Sequence, residues 1–332
     1  MSARITSESE LINRYLAPLA SGCAGALGLS DDCAVLRVPD GFDVVITTDA
    51  IAEGVHFLPG TAPEHMAWKA LAVNVSDLCA KGAQPSNYQL ALSFPVAPEH
   101  VFLQRLADGL RAAQAEFGMV LCGGDTDRRP GPVTLTVTAL GLLPHGTAVR
   151  RSGARPGDLI FVTGTLGDAA LGLGIARSGT VSGDDVITGD LRGHVLERYL
   201  RPRPRLAMAP VLRNYATAAM DISDGLAKDL GRLAEASGIC AVIEIARLPL
   251  SAAVRHVLSR ERSTLHLIVA GGDDYEILFC VSPDHRNDME AAAKARGIDV
   301  TCIGECMAGA GLRMLNCDGT PYQPSIRGWD HF

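Results

Sequence analysis

The spacing of apolar residues divides the chain into amphipathic helices and short strands. Helical spacing predicts its longer helices at 63–82, 99–117 and 226–236. Runs rich in β-branched and other apolar residues predict strands at 88–94, 119–122, 133–142, 159–163 and 277–281. The order of these elements in the first half predicts an α+β sheet with helices on one face.

A hairpin is predicted around Asp40-Gly41, because an Asp-Gly pair between two apolar runs is a strong turn signal. The runs are 33–38 and 44–46, and this turn would place Asp32 opposite Asp49. Opposed carboxylates destabilise a sheet unless a cation lies between them, and Mg²⁺ prefers such oxygen ligands. Taken alone, Thr47-Thr48-Asp49 also fits a strand that ends in a solvated turn.

Composition and charge narrow the class of protein. With 332 residues, the chain is long enough for two domains, and 47% of its residues are hydrophobic. We predict domains at 1–148 and 149–332, because a basic loop containing Gly and Pro follows at 150–158. The formal net charge of −7 argues against nucleic acid as the main partner.

Cysteine usage and hydropathy predict a cytoplasmic protein. The nine cysteines lie mostly in apolar runs, and the N-terminus has no basic-then-apolar signal segment. Only Cys302 and Cys306 are closely spaced, and core thiols explain them better than a zinc site. No apolar run approaches the roughly 20 residues of a membrane span, so no membrane partner is expected.

Acidic residues recur in five separate stretches: Asp31/Asp32, Asp49, Asp77, Asp125/Asp127 and Asp221/Asp224. Any one could be a turn residue, and Asp77 could form a surface pair with Lys81. Together, beside glycines and hydroxyls and without histidine pairs, they indicate a site for several Mg²⁺ ions that handles phosphates. The Gly164–Asp168 turn is better explained as ordinary strand-to-helix chemistry than as a phosphate loop.

Eight motifs, in order and spanning essentially the whole chain, resemble the thiamine-monophosphate kinase family of the aminoimidazole-ribonucleotide synthetase superfamily. They are Gly28–Ala34, Thr47–Asp49 with His56-Phe57, Ala72–Leu78, Gly123–Thr126, Arg151–Asp158, Asp221–Gly225, Gly271–Glu276 and Gly328–Phe332. The resemblance implies ATP-dependent phosphorylation of thiamine monophosphate to thiamine diphosphate. It also implies a two-domain fold, with an α+β N-terminal domain and an α/β C-terminal domain, and a homodimer whose N-terminal domains share a β-barrel.

The resemblance also assigns site residues. The ligands of Mg²⁺ would be Asp32, Thr47, Thr48, Asp49, Asp77, Asp125, Asp221 and Asp224. ATP would contact Gly124, Asp125, Arg151 and Ser223. Thiamine monophosphate would contact His56, Asp273 and a stacking aromatic, for which Trp329 is the candidate. No covalent nucleophile or general base is expected.

This chain departs from the family at Asp273, where Glu is usual, and at Ile326, where some members have Trp. Two relatives in the superfamily offer alternatives. Selenophosphate synthetase uses a Cys-Lys pair, but no Lys follows Cys23, and a hydrogenase-maturation dehydratase ends in Cys where this sequence has Phe332. A non-enzymatic metal-binding module is a third alternative, although none of the metal positions is missing.

Overall fold

A computed structural model describes residues 3–178, 187–324 and 328–329. Ile326, and Phe332 at the end of the C-terminal motif, lie outside the described residues. The chain forms two compact units, Met1–Leu78 with Ala83–Gly146, and Cys79–Gly82 with Thr147–Phe332. The predicted domain boundary at 148/149 stays a prediction.

Helices and strands alternate along most of the described chain. The helices are α1 (Glu8–Leu11), α2 (Pro63–Ala80), α3 (His100–Phe117), α4 (Asp168–Ser178), α5 (Gly189–Leu200), α6 (Ala209–Tyr215), α7 (Leu226–Ser237), α8 (Ala252–Arg260), α9 (Leu265–Ala270) and α10 (Arg286–Lys294). The strands are β1 (Phe42–Ala52), β2 (Gln84–Phe94), β3 (Val120–Arg128), β4 (Thr134–Pro144), β5 (Leu159–Thr163), β6 (Ala216–Ile222), β7 (Cys240–Glu244), β8 (Glu276–Val281), β9 (Val300–Met307), β10 (Gly311–Leu315) and β11 (Pro321–Tyr322).

The first unit contains a four-stranded sheet in the order β1-β4-β2-β3. Strand β4 pairs antiparallel with both β1 and β2, whereas β2 and β3 are parallel. Alternate residues of β4, including Leu135, Val137 and Ala139, are buried, as the alternation of Thr and apolar residues predicts. The sheet therefore has one buried face and one more exposed face.

The predicted hairpin is wrong. Gly41 does form a turn, with φ +79° and an N–H of Phe42 that donates to Pro39 O at 3.3 Å. However, the described chain has no strand over 33–38, and β1 pairs with β4 so that Asp49 faces Val137. Pairing with the amphipathic β4 extends over 11 residues and forms a longer ladder than the six-residue run 33–38 could form. That run is followed by Pro39, which has no N–H to donate.

Helix α2 packs against β1 and β4, and α3 packs against α2. A methyl group at Gly109 of α3 would approach Glu64 Cα of α2 to 2.6 Å, so these helices touch at their backbones. Trp68 of α2 meets Phe117 of α3 edge-on, with ring centroids 5.1 Å apart. The almost fully apolar surface of α2 is explained by its burial between the sheet and α3.

The second unit contains a seven-stranded sheet in the order β11-β10-β7-β9-β5-β8-β6. The β10–β7 pair is parallel, and the other pairs are antiparallel. Its core includes Ile160, Leu230, Leu278 and Ile303, each fully buried. Both units combine helices with a sheet, which confirms the predicted two-domain fold of mixed α and β content.

Candidate functional site

A pocket of about 270 Å³ in the first unit brings together two of the predicted acidic stretches. Asp32 and Asp125 line it together with Gly124. Both carboxylates are exposed, so their charge is available to a bound cation. Apolar residues form much of the remaining wall, among them Ile12, Leu16, Ala26, Leu29, Leu90 and Leu121. A pocket with an apolar wall and acids at its rim suits a ligand that carries both a ring and metal-bound phosphates.

Gly124 lies inside β3, not beyond its end. The sequence predicts a strand that ends at Cys122, but β3 continues to Arg128 beside β2. A Cβ atom at Gly124 would lie 1.9 Å from Leu90 O, so no side chain fits there. Glycine therefore keeps β2 and β3 paired where the pocket wall is formed.

Polar residues of α2 meet the helix-facing side of β1. Thr47 Oγ1 donates to Asp77 Oδ2 at 2.5 Å, and the Asp49 N–H donates to Asn74 Oδ1 at 3.1 Å. Asn74 and Asp77 of α2 thus face the strand that carries Thr47 and Asp49. Thr48 lies on the opposite face of the strand, and its hydroxyl hydrogen-bonds Thr138 Oγ1 at 3.0 Å.

His56 sits in the turn that follows β1. Its N–H donates to Ala52 O at 2.9 Å, and the Ala52 N–H donates to its Nδ1 at 3.1 Å. Nδ1 is therefore an acceptor, and in the neutral ring the proton lies on Nε2. Lys69 Nζ donates to His56 O at 2.9 Å, and no sequence motif points to this lysine.

In the second unit, the loop after β6 carries Ser223 and Asp224. Their N–H groups donate to Asp229 Oδ2 at 3.0 and 2.9 Å, so this buried carboxylate fixes the loop. Burial raises the pKa of Asp229 to about 6, although the two N–H groups and Arg232 oppose the shift. Sequence reasoning missed Asp229, and the available signal was an acid in the first turn of a helix after Gly225.

Asp273 and Trp329 both attach to that loop. The Asp273 N–H donates to Ser223 O at 2.9 Å, and the Trp329 N–H donates to Asp224 O at 3.0 Å. The Trp329 side chain is 48% exposed, so part of its ring faces solvent. The second unit thus brings together two candidate substrate residues, Asp273 and Trp329, with Ser223 and Asp224.

The candidate metal ligands of this unit differ in their surroundings. Asp221 is the penultimate residue of β6 and is buried. Asp224 lies beside two cations, with Oδ2 2.7 Å from Arg232 Nη1 and 3.3 Å from Lys228 Nζ. Because these cations already neutralise Asp224, a metal ion bound there competes with them.

Asp273 is held in an uncommon backbone conformation. It has φ +71° and Tyr275 has φ +50°, values that L-residues rarely adopt. Tyr275 Oη donates to Asp273 Oδ1 at 3.0 Å, which orients the carboxylate. The sequence alone does not point to Tyr275, because an aromatic residue just before an apolar strand is expected to pack in the core. Its contact with Asp273 is known only from the folded chain.

A buried ion network fixes the strand that follows. Glu276 is fully buried and accepts from Arg198 Nη2 at 2.8 Å, Arg205 Nε at 2.7 Å and Thr163 Oγ1 at 2.6 Å. Both carboxylate oxygens of the neighbouring Asp274 accept from the Gly167 N–H, at 3.1 and 3.0 Å. Burial raises the pKa of Asp274, against the effect of that N–H. The residues that follow Asp273 and Tyr275, namely Asp274 and Glu276, are thus both held by buried hydrogen bonds.

Two residues singled out from sequence lie at the surface. Arg151 is exposed, and its main-chain oxygen accepts from Ser237 Oγ at 2.9 Å. Asp127 is also exposed and lies 3.5 Å from Arg129 Nε. The exposed side chain of Arg151 is accessible to a phosphate, whereas Asp127 already lies beside Arg129.

The oxygen-rich donor set suits Mg²⁺ better than a transition metal. Within residues 3–178, 187–324 and 328–329, no three His, Cys, Asp or Glu side chains are close enough to hold an ion by themselves. Mg²⁺ commonly uses one or two protein carboxylates and completes its shell with water and substrate phosphates. The residues therefore fit ions that enter with phosphates. None of the described helices is long and apolar enough to cross a membrane.

Both units match one protein family. The N-terminal domain of AIR synthase related protein matches residues 30–143, and the C-terminal domain matches residues 155–315. The chain therefore belongs to the AIR synthase related family. It is 40% identical over 328 residues to thiamine-monophosphate kinase of Salmonella typhimurium, which covers 98% of each chain. Within the larger family, the chain belongs to the thiamine-monophosphate kinases, which are phosphotransferase enzymes.

Solved structures agree with this placement. The crystal structure of thiamine-monophosphate kinase from Stenotrophomonas maltophilia has a TM-score of 0.83 and 36% identity, covering 97% of this chain and 100% of that chain. The structure of AaThiL complexed with AMPPCP and TMP has a TM-score of 0.77 and 32% identity, covering 91% of each chain. These comparisons confirm the resemblance inferred from the eight sequence motifs.

Proposed function

We propose that this protein transfers the γ-phosphoryl group of ATP to thiamine monophosphate and forms thiamine diphosphate. The observation that carries the proposal is the likeness, over 91% of the chain, to a structure complexed with AMPPCP and TMP. Kinase relatives with 40–41% identity over 328 residues support it. The pocket that joins Asp32, Gly124 and Asp125 supports nucleotide binding within the first unit.

The residue roles follow the family resemblance. Gly124, Arg151 and Ser223 bind the nucleotide, and His56, Asp273 and Trp329 bind thiamine monophosphate. Oxygen atoms of the first unit's Asp32, Thr47, Thr48, Asp49, Asp77 and Asp125, and of the second unit's Asp221 and Asp224, bind several Mg²⁺ ions. When bound, these ions neutralise phosphate charge and orient the reacting groups.

Transfer is direct and in line, without a covalent enzyme intermediate or a general base. The acceptor is a phosphate monoester, which is already largely dianionic at neutral pH and needs no deprotonation. Repulsion between the two anions is the main obstacle, at about 4 kcal/mol for two unit charges 4 Å apart with an effective dielectric constant near 20. A site rich in carboxylates and poor in histidine suits cation-assisted transfer between phosphates.

Release of ADP tests the proposed reaction. The purified protein is assayed with ATP, Mg²⁺ and thiamine monophosphate, and in parallel with aminoimidazole precursors, selenide or free thiamine. We expect turnover with thiamine monophosphate only, loss of activity with a chelator, and a dependence on Mg²⁺ steeper than first order. Phosphorylation of free thiamine, or an isolable phosphoenzyme, would contradict the proposed mechanism.

We infer that the protein acts as a homodimer in the cytoplasm. On the edge strand β1, Phe42, Val44 and Ile46 are exposed on one face, and Ile46 is 62% exposed. Leu140 and Leu142 lie opposite Ile46 and Val44 on β4, so the apolar face is continuous. Exposed apolar patches of this kind mark interfaces, and pairing two such sheets would form the expected barrel. The nine free cysteine thiols suit a reducing compartment.

Light scattering coupled to size-exclusion chromatography tests the dimer. Ile46→Glu places a charge in the centre of the apolar face and should yield a monomer. Asp43→Asn is the control, because Asp43 lies on the same strand but on its other face. Thr48 shares the face of Ile46, but it is a predicted metal ligand and is therefore unsuitable as a control. Dimeric Ile46→Glu protein would show that this face is not the interface.

A further inference from the structure

Lys69 occupies an unusual position for a lysine. It lies within α2, and only 2% of its surface is exposed. Lysine is among the residues least often found fully buried, because an ammonium group loses its hydration there. Its Nζ donates to His56 O at 2.9 Å. The helix therefore uses a buried cation to hold the main chain of a predicted substrate residue.

The turn around His56 is fixed at several points. The N–H groups of Val55 and His56 donate to Ala52 O at 3.2 and 2.9 Å, and the Gly54 N–H donates to Phe57 O at 2.8 Å. Phe57 is buried and anchors the end of the turn. These bonds satisfy the turn internally, whereas the bond from Lys69 ties it to α2. Lys69 thus sets where the turn lies relative to the helix.

The His56 ring has a defined direction of donation. Because Nδ1 accepts from the Ala52 N–H, Nε2 carries the proton of the neutral ring and can donate to an anion. Ring orientation depends on the main chain at residues 52 and 56, which the turn and Lys69 fix together. A displacement of this main chain would move the Nε2 donor away from its ligand.

We propose that Lys69 is a positioning residue for the acceptor phosphate: it holds the turn at residues 52–57 so that His56 Nε2 meets thiamine monophosphate. The inference rests on the proposed function, in which His56 binds that substrate. A lysine suits this position because its flexible stem spans the apolar surface of α2 and its charge strengthens the bond to the carbonyl oxygen. Lys69 acts through His56 and is not itself a catalytic residue.

Steady-state kinetics of Lys69→Met test the role, because methionine fills the same apolar space without a donor or charge. We expect the KM for thiamine monophosphate to rise about tenfold, with the KM for ATP within about twofold of wild type. A general attraction of anions by the Lys69 charge would instead raise both KM values and weaken with salt. Equal changes in both KM values would therefore overturn the positioning role.

A double-mutant cycle asks whether Lys69 acts through His56. In a His56→Ala background the ring contact is already lost, so adding Lys69→Met should change the KM for thiamine monophosphate by less than about twofold. Multiplicative effects of the two changes would overturn the proposal. Lys81→Met is the matched control, because Lys81 Nζ donates to another main-chain oxygen, that of Ala219, at 2.7 Å. The control should leave the KM for thiamine monophosphate unchanged.

Activity of the wild-type protein distinguishes failure of the proposed function from failure of the positioning role. Absence of ADP release with thiamine monophosphate in the wild type would refute the proposed function. An active wild type with an unchanged KM in Lys69→Met would refute the positioning role alone. If Lys69→Met does not fold, Lys69→Gln supplies the same comparison, because its neutral side chain is one bond shorter and falls short of the carbonyl oxygen of His56. A rise in the KM for thiamine monophosphate alone is expected there too.

Discussion

Replacing Glu276 by Gln tests whether the buried ion network stabilises the second unit. The carboxylate is fully buried and receives hydrogen bonds from Arg198, Arg205 and Thr163. Gln keeps the shape of Glu, but its amide group points a donor at one of these donors, and Arg198 and Arg205 lose the buried carboxylate charge that they share. Breaking a buried ion pair by removing one partner costs about 3–5 kcal/mol.

Calorimetry of the purified protein measures this cost. For a domain of 150–250 residues, each kcal/mol shifts the melting temperature by about 2–4 °C, so we expect a decrease of roughly 6–20 °C. Glu305→Gln is the matched control, because Glu305 lies in the same sheet but is exposed, and it should change stability by no more than about 0.5 kcal/mol. A melting temperature for Glu276→Gln within the range of the control would refute the stabilising role of the network.

Three further predictions concern the site. Trp329→Ala should raise the KM for thiamine monophosphate far more than that for ATP, because a stacking or cation–π contact worth about 0.5–2 kcal/mol acts on one substrate only; equal effects would place the ring contact elsewhere. His56→Gln should retain more affinity for thiamine monophosphate than His56→Asn, because the Gln amide reaches the position of Nε2 and the Asn amide that of Nδ1; the reverse order in KM would contradict the assigned tautomer. Asp229 has a pKa of about 6 in the folded protein and of about 3.9 when unfolded. The wild type should therefore become less stable as pH rises from 4 to 6, because over this range the folded state loses a proton that the unfolded state has already lost. Urea unfolding with a chelator should show Asp229→Asn gaining on the wild type by up to about 1.4 kcal/mol per pH unit over this range, and parallel pH dependences would contradict the shifted pKa.

Local patterns predicted most of the elements because burial followed periodicity directly. The alternation over 133–142 became β4, and the apolar spacing over 63–82 became α2. Asn74 and Asp77 are among the few polar residues on the apolar helix α2, and both have hydrogen-bond partners on β1.

Contacts between distant segments were harder to predict. The Asp40-Gly41 signal identified a turn but not the partner of β1, because strand pairing depends on the length and face of β4 far along the chain. Lys69, Asp229 and Tyr275 were missed for a related reason. Each acts on a main-chain or side-chain atom of a neighbour whose position is known only once the chain is folded.

Side chains of β1 alternate between two faces of the strand, and the two faces have different roles. Thr47 and Asp49 point toward α2, whereas Phe42, Val44 and Ile46 point to the open face. Deleting or inserting one residue between Val44 and Thr47 would turn every later side chain to the wrong face. Such a change would turn Thr47 and Asp49 away from α2 and split the apolar face at once. Length variation among related sequences should therefore be absent from this strand and concentrated in the loops beside it, even where individual residues are freely exchanged.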